Sequence, residues 1–336
     1  MANGQQLIAK KMWRKIAKIA GFILAVVGII VYICYASHLA KEYRADVRVK
    51  CVEVTLSDNG NNSNFTTVAQ VFEKLNQSGI PIENELIDSV DVVNIKSYIE
   101  RDGYVRDVDA YVTYKGNLYI NIQQYTPVMR ILSGGVNSYV TDCGQVFCQP
   151  YESAYYVPVI TGSYRPHFED YFEGNAHDYF SERIKAESEK LGRLTNEIAS
   201  VRVERRKSKD EALVRLDSKE TQLKEQKRFS ENYKKKLQKK SVDFANLINF
   251  VIKVSKDPFW SAELVQFVAD TTHLGDISLR LVPRSGNFDI MFGTLEKSDE
   301  KLAKLYKFYD KGLPYVGWER YKVVDVRYDK QIICRE

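Results

Sequence analysis

The chain has 336 residues, with 49 Lys and Arg against 44 Asp and Glu, a formal charge of +5 at pH 7. That modest, unevenly spread excess is not the composition of a nucleic-acid-binding protein. The four histidines, His38, His167, His177 and His273, are scattered and form no HExxH or i, i+4 ligand pair, so a histidine-built metal centre is not indicated.

The first element is the run IAGFILAVVGIIVYICYASHLA, residues 19–40, without a formal charge apart from His38. At about 1.5 Å per residue it is long enough to cross a hydrocarbon core of about 30 Å. Lys10, Lys11, Arg14, Lys15 and Lys18 precede it and no acidic residue does. This bias predicts a cytoplasmic tail over residues 1–18 and puts everything after about Glu42 on the far side of the membrane. A cleaved signal peptide is the competing reading, but the run exceeds the usual h-region of about 7–15 residues and offers no small-x-small exit. Tyr32 and Ile33 stand before Cys34 where a lipoprotein signal wants small residues.

VRVKCVEVT, residues 47–55, alternates like a half-buried strand. After a polar loop, Thr66 or Thr67 caps a helix through about Leu75, with Val68, Val71, Phe72 and Leu75 on one face. A second helix fits Asp91 to Arg101 through Val92, Ile95 and Ile99, and two alternating runs, YVRDVDAYVTY and NLYINIQQY, follow. Strand, helix, helix, strand, strand describes a small α+β unit over residues 47–125. Next come short strands at PVMRIL, SYVTD, QVF and VPVITG. From about residue 180 to 240, prolines vanish and Lys, Arg, Glu, Leu and Gln dominate. Phe180, Ile184, Leu191, Leu194, Ile198 and Val201 keep a 4-3 spacing, with Glu187 in one seam position. Ser208 and Glu211 match a capping box, which restarts the pattern and predicts two antiparallel arms forming a separable insertion. Beyond it, VDFANLINFVIKV extends the helix to Asp257–Pro258, FWSAELVQFVAD reads as another helix, and DISLRLV and NFDIMFG read as strands. SDEKLAKLYKFYD reads as a Ser-capped helix and YKVVDVRYDKQIIC as one strand running to the C-terminus.

Four cysteines lie beyond the apolar run: Cys51, Cys143, Cys148 and Cys334. Three pairings are open, with Cys143–Cys148 across a hairpin turn the easiest and free thiols the other reading. CGQVFC does not have zinc-ligand spacing. His167 and His177 stand near Glu169, Asp170, Glu173 and Asp178, which reads as a solvated acidic linker. Asp107 and Asp109 beside Arg106 read as a strand's solvent face, and Gly317–Trp318 as a turn with a core or rim aromatic. No catalytic, cofactor-binding or metal residue is assigned, and an enzyme is not expected.

The ordered set KCVEVTL, GIPIENELIDSVDVVNIKSYIERDGYVRDVDAYVTYKGNLYINIQQYTPVMRI, SYVTDCGQVF, VPVITG, DPFWSAELVQF, DISLRLVPRSGNFDIMFG and LYKFYDKGLPYVGWERYKVVDVRYDKQIIC resembles the bacterial FtsQ/DivIB cell-division family, in its Bacteroidetes form. The resemblance covers the chain except about Phe168 to Lys240. It implies an α+β protein with one N-terminal transmembrane helix (19–40), a POTRA domain (47–125) and a β-domain (126–336) interrupted by a charged, coiled-coil-like helical hairpin at about 180–240. It further implies a non-enzymatic divisome scaffold in the inner membrane, enriched at the septum, whose last strand binds FtsB/DivIC-like and FtsL-like bitopic proteins. Other divisome proteins would meet the POTRA domain, membrane lipid surrounds the span, and no nucleic acid or cofactor is involved. Carried onto this chain, the interface falls on Trp318, Tyr321, Val323, Val324, Val326, Arg327, Tyr328 and Ile332. The alternative is a POTRA-bearing envelope protein for outer-membrane polypeptide translocation, which would show repeated POTRA units and barrel strands. A glycoprotein reading rests only on the triplets beginning at Asn61, Asn64 and Asn76.

Overall fold

The computed structural model describes residues 21, 24–39, 46–57, 65–148, 155–209 and 211–336. Residues 24–39 are helical and exposed, while the tail at 1–18 and both ends of the expected span lie outside the described residues. No described helix is long and apolar enough to cross a membrane. The chain divides into two compact units, residues 67–101 and 107–123 joining the N-terminal part and residues 124–336 forming the bulk of the second.

In the first unit, β1 (Cys51–Leu56), α1 (Val68–Gln77), α2 (Val92–Ile99), β2 (Val105–Val112) and β3 (Asn117–Gln124) build a sheet of order β1-β3-β2. β1 runs parallel to β3, from Cys51 opposite Asn117 to Leu56 opposite Ile122. Thr67 caps α1 and Gln70 reaches back to the cap's own N–H, a complete capping box. Asp91 caps α2 by accepting from the Asn94 N–H at 2.9 Å. Val71, Leu75, Ile95 and Ile99 are buried with Val108, Leu118, Ile120 and Ile122. The expected helix faces were drawn too wide: Val68 is 38% exposed, and Phe72 and Val92 are only half-buried. On helices this short, the rows through Val71–Leu75 and Ile95–Ile99 face the sheet and the flanking positions sit at its rim. Ile95→Ala should therefore cost about 2–5 kcal/mol, and Phe72→Ala clearly less than a buried Phe loses, in urea unfolding.

The second unit is a ten-stranded sheet. Its strands are β4 (Pro127–Ser133), β5 (Val136–Thr141), β6 (Gln145–Cys148), β7 (Val159–Thr161), β8 (Gly174–Asn175), β9 (Leu264–Thr271), β10 (Ile277–Pro283), β11 (Asp289–Gly293), β12 (Val323–Asp325) and β13 (Ile333–Arg335). They lie in the order β13-β12-β11-β10-β9-β7-β4-β5-β6-β8. Its helices are α3 (Ala176–Lys207), α4 (Glu211–Lys256), α5 (Pro258–Glu263), α6 (Ser298–Lys311) and α7 (Leu313–Val316). The core joins sheet residues such as Ile131, Ile160, Phe267, Leu281 and Phe292 to Leu247, Phe250 and Val251 of α4 and Leu305 of α6. At Gly162, φ is 107° and an added Cβ would sit 2.3 Å from the Ala269 carbonyl oxygen. Glycine is therefore required where the chain leaving β7 presses against β9.

Three sequence expectations fail here. FWSAELVQFVAD is a helix only through Glu263, started by Asp257 accepting from the Phe259 and Trp260 N–H groups. Leu264–Thr271 is a central strand, flanked by β7 and β10, whose pairing on both sides overrides the helix pattern. α6 is not Ser-capped. Its cap position is Lys297 in the left-handed region (φ 52°), with Asp299 and Glu300 in the first turn to complement the helix dipole. The C-terminal run is two strands, β12 and β13, joined through Lys330 at φ 61°.

α3 and α4 do run antiparallel, but they are not separable at 180–240. Arg202 Nε meets Glu220 Oε1 at 2.8 Å and Arg205 Nε meets Asp217 at 2.6 Å near the tip, while the Ser230 hydroxyl donates to Glu187 lower down. A distal cluster of Leu194, Ile198, Val201 and Leu223 is its own small core. Phe180 and Leu237 belong to the main core, with Ile184 and Tyr233 packed against it. Ser208 makes no capping box, since its hydroxyl donates to the Glu204 carbonyl at 3.0 Å. Hydrogen bonds from Lys224 and Arg202 lower the Glu220 pKa from 4.5 to about 2. A depressed carboxylate stabilises the fold above its unfolded value, and that contribution is lost as pH falls from about 4.5 through about 2. Glu220→Gln should therefore melt lower than the parent at neutral pH, with the difference vanishing toward pH 2. The described cysteines are free thiols. Cys148 stands opposite Ser138 on the ladder and Cys143 lies in the turn, its Sγ 3.1 Å from the Thr141 hydroxyl, so of the two open readings the free thiols hold and the Cys143–Cys148 pair does not form.

Candidate partner-binding site

The C-terminal end of the sheet gathers the residues assigned to an interface. Gly317, at φ 91°, ends α7 and turns the chain into the Trp318–Lys322 approach. β12 then enters parallel to β11, Val324 opposite Ile290, and β13 returns antiparallel, Val324 opposite Cys334. β13 is thus an edge strand of the ten-stranded sheet and β12 lies one strand in.

This order corrects two of the assigned residues. Val324 and Val326 are fully buried in the main core and cannot touch a partner. Val323, Tyr321 and Ile332 are half-buried, while Trp318, Arg327 and Tyr328 are exposed. Arg327 does not simply face water. Its Nε and Nη2 donate to the two Asp325 oxygens at 2.9 and 2.6 Å, and Asp325 is fully buried. Burial alone would raise the Asp325 pKa, but these bonds and the Arg327 backbone N–H hold it below the ordinary carboxylate range. The segment after β12 is clamped to α6. Lys304 Nζ donates to the Val326 carbonyl at 2.9 Å and also to the Tyr328 carbonyl, and Lys297 Nζ lies 3.3 Å from Asp329.

What faces outward is a short rigid rim with aromatic side chains. Tyr328 is 43% exposed and Trp318 37%, the latter packed edge-on to Tyr309 with centroids 5.6 Å apart. Beyond them β13 presents the unpaired side of its backbone, the arrangement to which an incoming extended segment can add. Sequence reasoning missed Ile333–Arg335 as the edge because it read one unbroken strand. The Asp329–Lys330 turn between two short apolar stretches was the available signal. Among the described residues no group of His, Cys, Asp and Glu could hold a metal ion.

Residues 208–335 match the family model described as FtsQ/DivIB, C-terminal related. The match starts at the hairpin's turn and takes in all of α4, so the resemblance resumes well before Lys240, where it was expected to. Comparison with curated proteins gives no match. The matched stretch carries β9 to β13 with the rim just described, so this C-terminal part of the chain is similar to the C-terminal region of the FtsQ/DivIB family.

Proposed function

We propose that this protein is a non-enzymatic scaffold of bacterial cell division that captures FtsB/DivIC-like and FtsL-like proteins by adding a strand to β13. The FtsQ/DivIB-related C-terminal domain supports a role in cell division, and gives no support to outer-membrane translocation. The observation that carries the binding mode is the edge position of β13 beside exposed Trp318 and Tyr328. Main-chain pairing would give affinity and the aromatic rim would anchor it. The strand, helix, helix, strand, strand unit at 47–125 serves as a POTRA domain, a second contact for divisome proteins. Residues 19–40 anchor the chain in the inner membrane, with the N-terminus inside.

Tyr328→Ala should leave the melting temperature unchanged and weaken capture of the FtsB/FtsL-like pair by about 2 kcal/mol. Val324→Ala should instead lower stability. Undiminished capture by a folded Tyr328→Ala protein, together with undiminished capture after removal of residues 333–336, would refute the edge-strand reading. A C-terminal reporter active only outside the cytoplasm should work and concentrate at mid-cell.

A further inference from the structure

At the root of the hairpin a cleft of about 500 Å³ is lined by Arg165, His167, Lys236 and Lys240, with Asp170 its one carboxylate. Four stretches of chain supply it: the start of β5 at Val136, the loop after β7, the middle of α4, and the end of β9 with its turn, through Thr271 and Gly275. Lys236 and Lys240 are one helical turn apart and so share a face of α4. Lys239, between them, is taken by Asp276 at 2.5 Å. No carboxylate among the described residues lies within ion-pair distance of Arg165, Lys236 or Lys240. Lys240 instead lies over the Tyr164 ring, 5.5 Å from its centroid, and burial lowers its pKa. His167 is half-buried with Nε2 3.5 Å from the Tyr233 hydroxyl. Burial first, then Lys236, Arg183 and Lys240, push its pKa down.

Arg165, Lys236 and Lys240 outnumber the one lining carboxylate, Asp170, and the nearby Asp243 that acts on Lys240, so against an apolar wall of Val136, Pro166 and Phe168 they make a positive, partly desolvated recess. We infer that this cleft binds a phosphate group, carried by a soluble phosphorylated molecule or by a lipid headgroup. The tetrahedral oxygens of phosphate can be met from three sides by an arginine fork and two lysine charges. A carboxylate offers two oxygens in one plane to the same donors.

The test uses the full chain in a neutral maltoside detergent, with inorganic pyrophosphate, dihexanoyl phosphatidic acid and citrate titrated by calorimetry. Saturable binding of pyrophosphate or phosphatidic acid, weakened at least tenfold in Lys236→Ala/Lys240→Ala, is the expected result. Lys219→Ala/Lys235→Ala, which removes two exposed lysines from the same helix, should bind like the parent. Pyrophosphate alone identifies a soluble ligand, phosphatidic acid alone a lipid headgroup, and both the shared group. On ligand addition the His167 ring resonances should shift. No saturable binding, citrate binding as tightly, or equal losses in both double variants would overturn the assignment.

Discussion

Arg327→Glu is expected to unfold the C-terminal end of the sheet rather than merely weaken a surface contact. Asp325 is fully buried in β12, and Arg327 supplies both side-chain donors that neutralise it. Removing one member of such a pair strands the other in low dielectric. Arg327→Ala should cost about 2–4 kcal/mol, below the full range for a buried pair because the guanidinium is partly open to water. Charge reversal adds repulsion and should cost more. The measurement is the urea midpoint of each variant against the parent. The sign of the pH dependence follows from the lowered Asp325 pKa. Its stabilising contribution is present above the ordinary carboxylate range and lost as pH falls through the folded value, so parent and Arg327→Ala should converge in acid. A variant as stable as the parent would mean that the pair does not hold β12.

The second large effect separates two deletions. Removing residues 182–240 should abolish folding of the second unit, because it takes away Leu237, Ile184 and Tyr233 from the main core and Lys239 from Asp276. The fully buried Leu237 alone accounts for about 2–5 kcal/mol, and the half-buried Ile184 and Tyr233 and the Lys239–Asp276 pair go with it, against a total stability of about 5–15 kcal/mol. Removing residues 188–229 with a short linker should leave a folded protein. That cut keeps Phe180, Ile184, Tyr233 and Leu237 and discards the distal cluster as a whole. Thermal melts with near-ultraviolet circular dichroism distinguish the outcomes, and a folded product from the longer deletion would show that the arms lie outside the core.

Local signals were legible where chemistry is local. Thr67 takes the cap position that the sequence offers to Thr66 or Thr67, and the second helix begins at Asp91, which caps it, whereas Asp257, which reads as the end of one helix, caps the next. The seam residues Leu194, Ile198 and Val201 are buried as their spacing requires. What could not be read was set by distant partners. LVQFVADT has enough helical pattern to be taken for a helix, and becomes a strand because β7 and β10 wait on either side. Val324 and Val326 looked as available as Tyr328 in a single alternating run. Only the return of β13 shows that their face is core and that the free edge lies one strand further out.

The pairing of β7 with β9 has a consequence for the order of folding. Val159 pairs Gln266 and Thr161 pairs Val268, so the entire excursion through α3 and α4 intervenes between two adjacent central strands. Contacts of such sequence separation form late, because loop-closure entropy is spent before they reward it. Until then β7 carries an open edge beside the apolar Ile160, the kind of transient surface that favours misassembly as a chain emerges N-terminus first. Excising residues 188–229 would shorten the crossover from roughly a hundred residues to roughly sixty and ease closure by only about 0.4 kcal/mol. The shortened chain should therefore refold at nearly the parent's rate, because the middle seam still joins strands separated by roughly sixty residues.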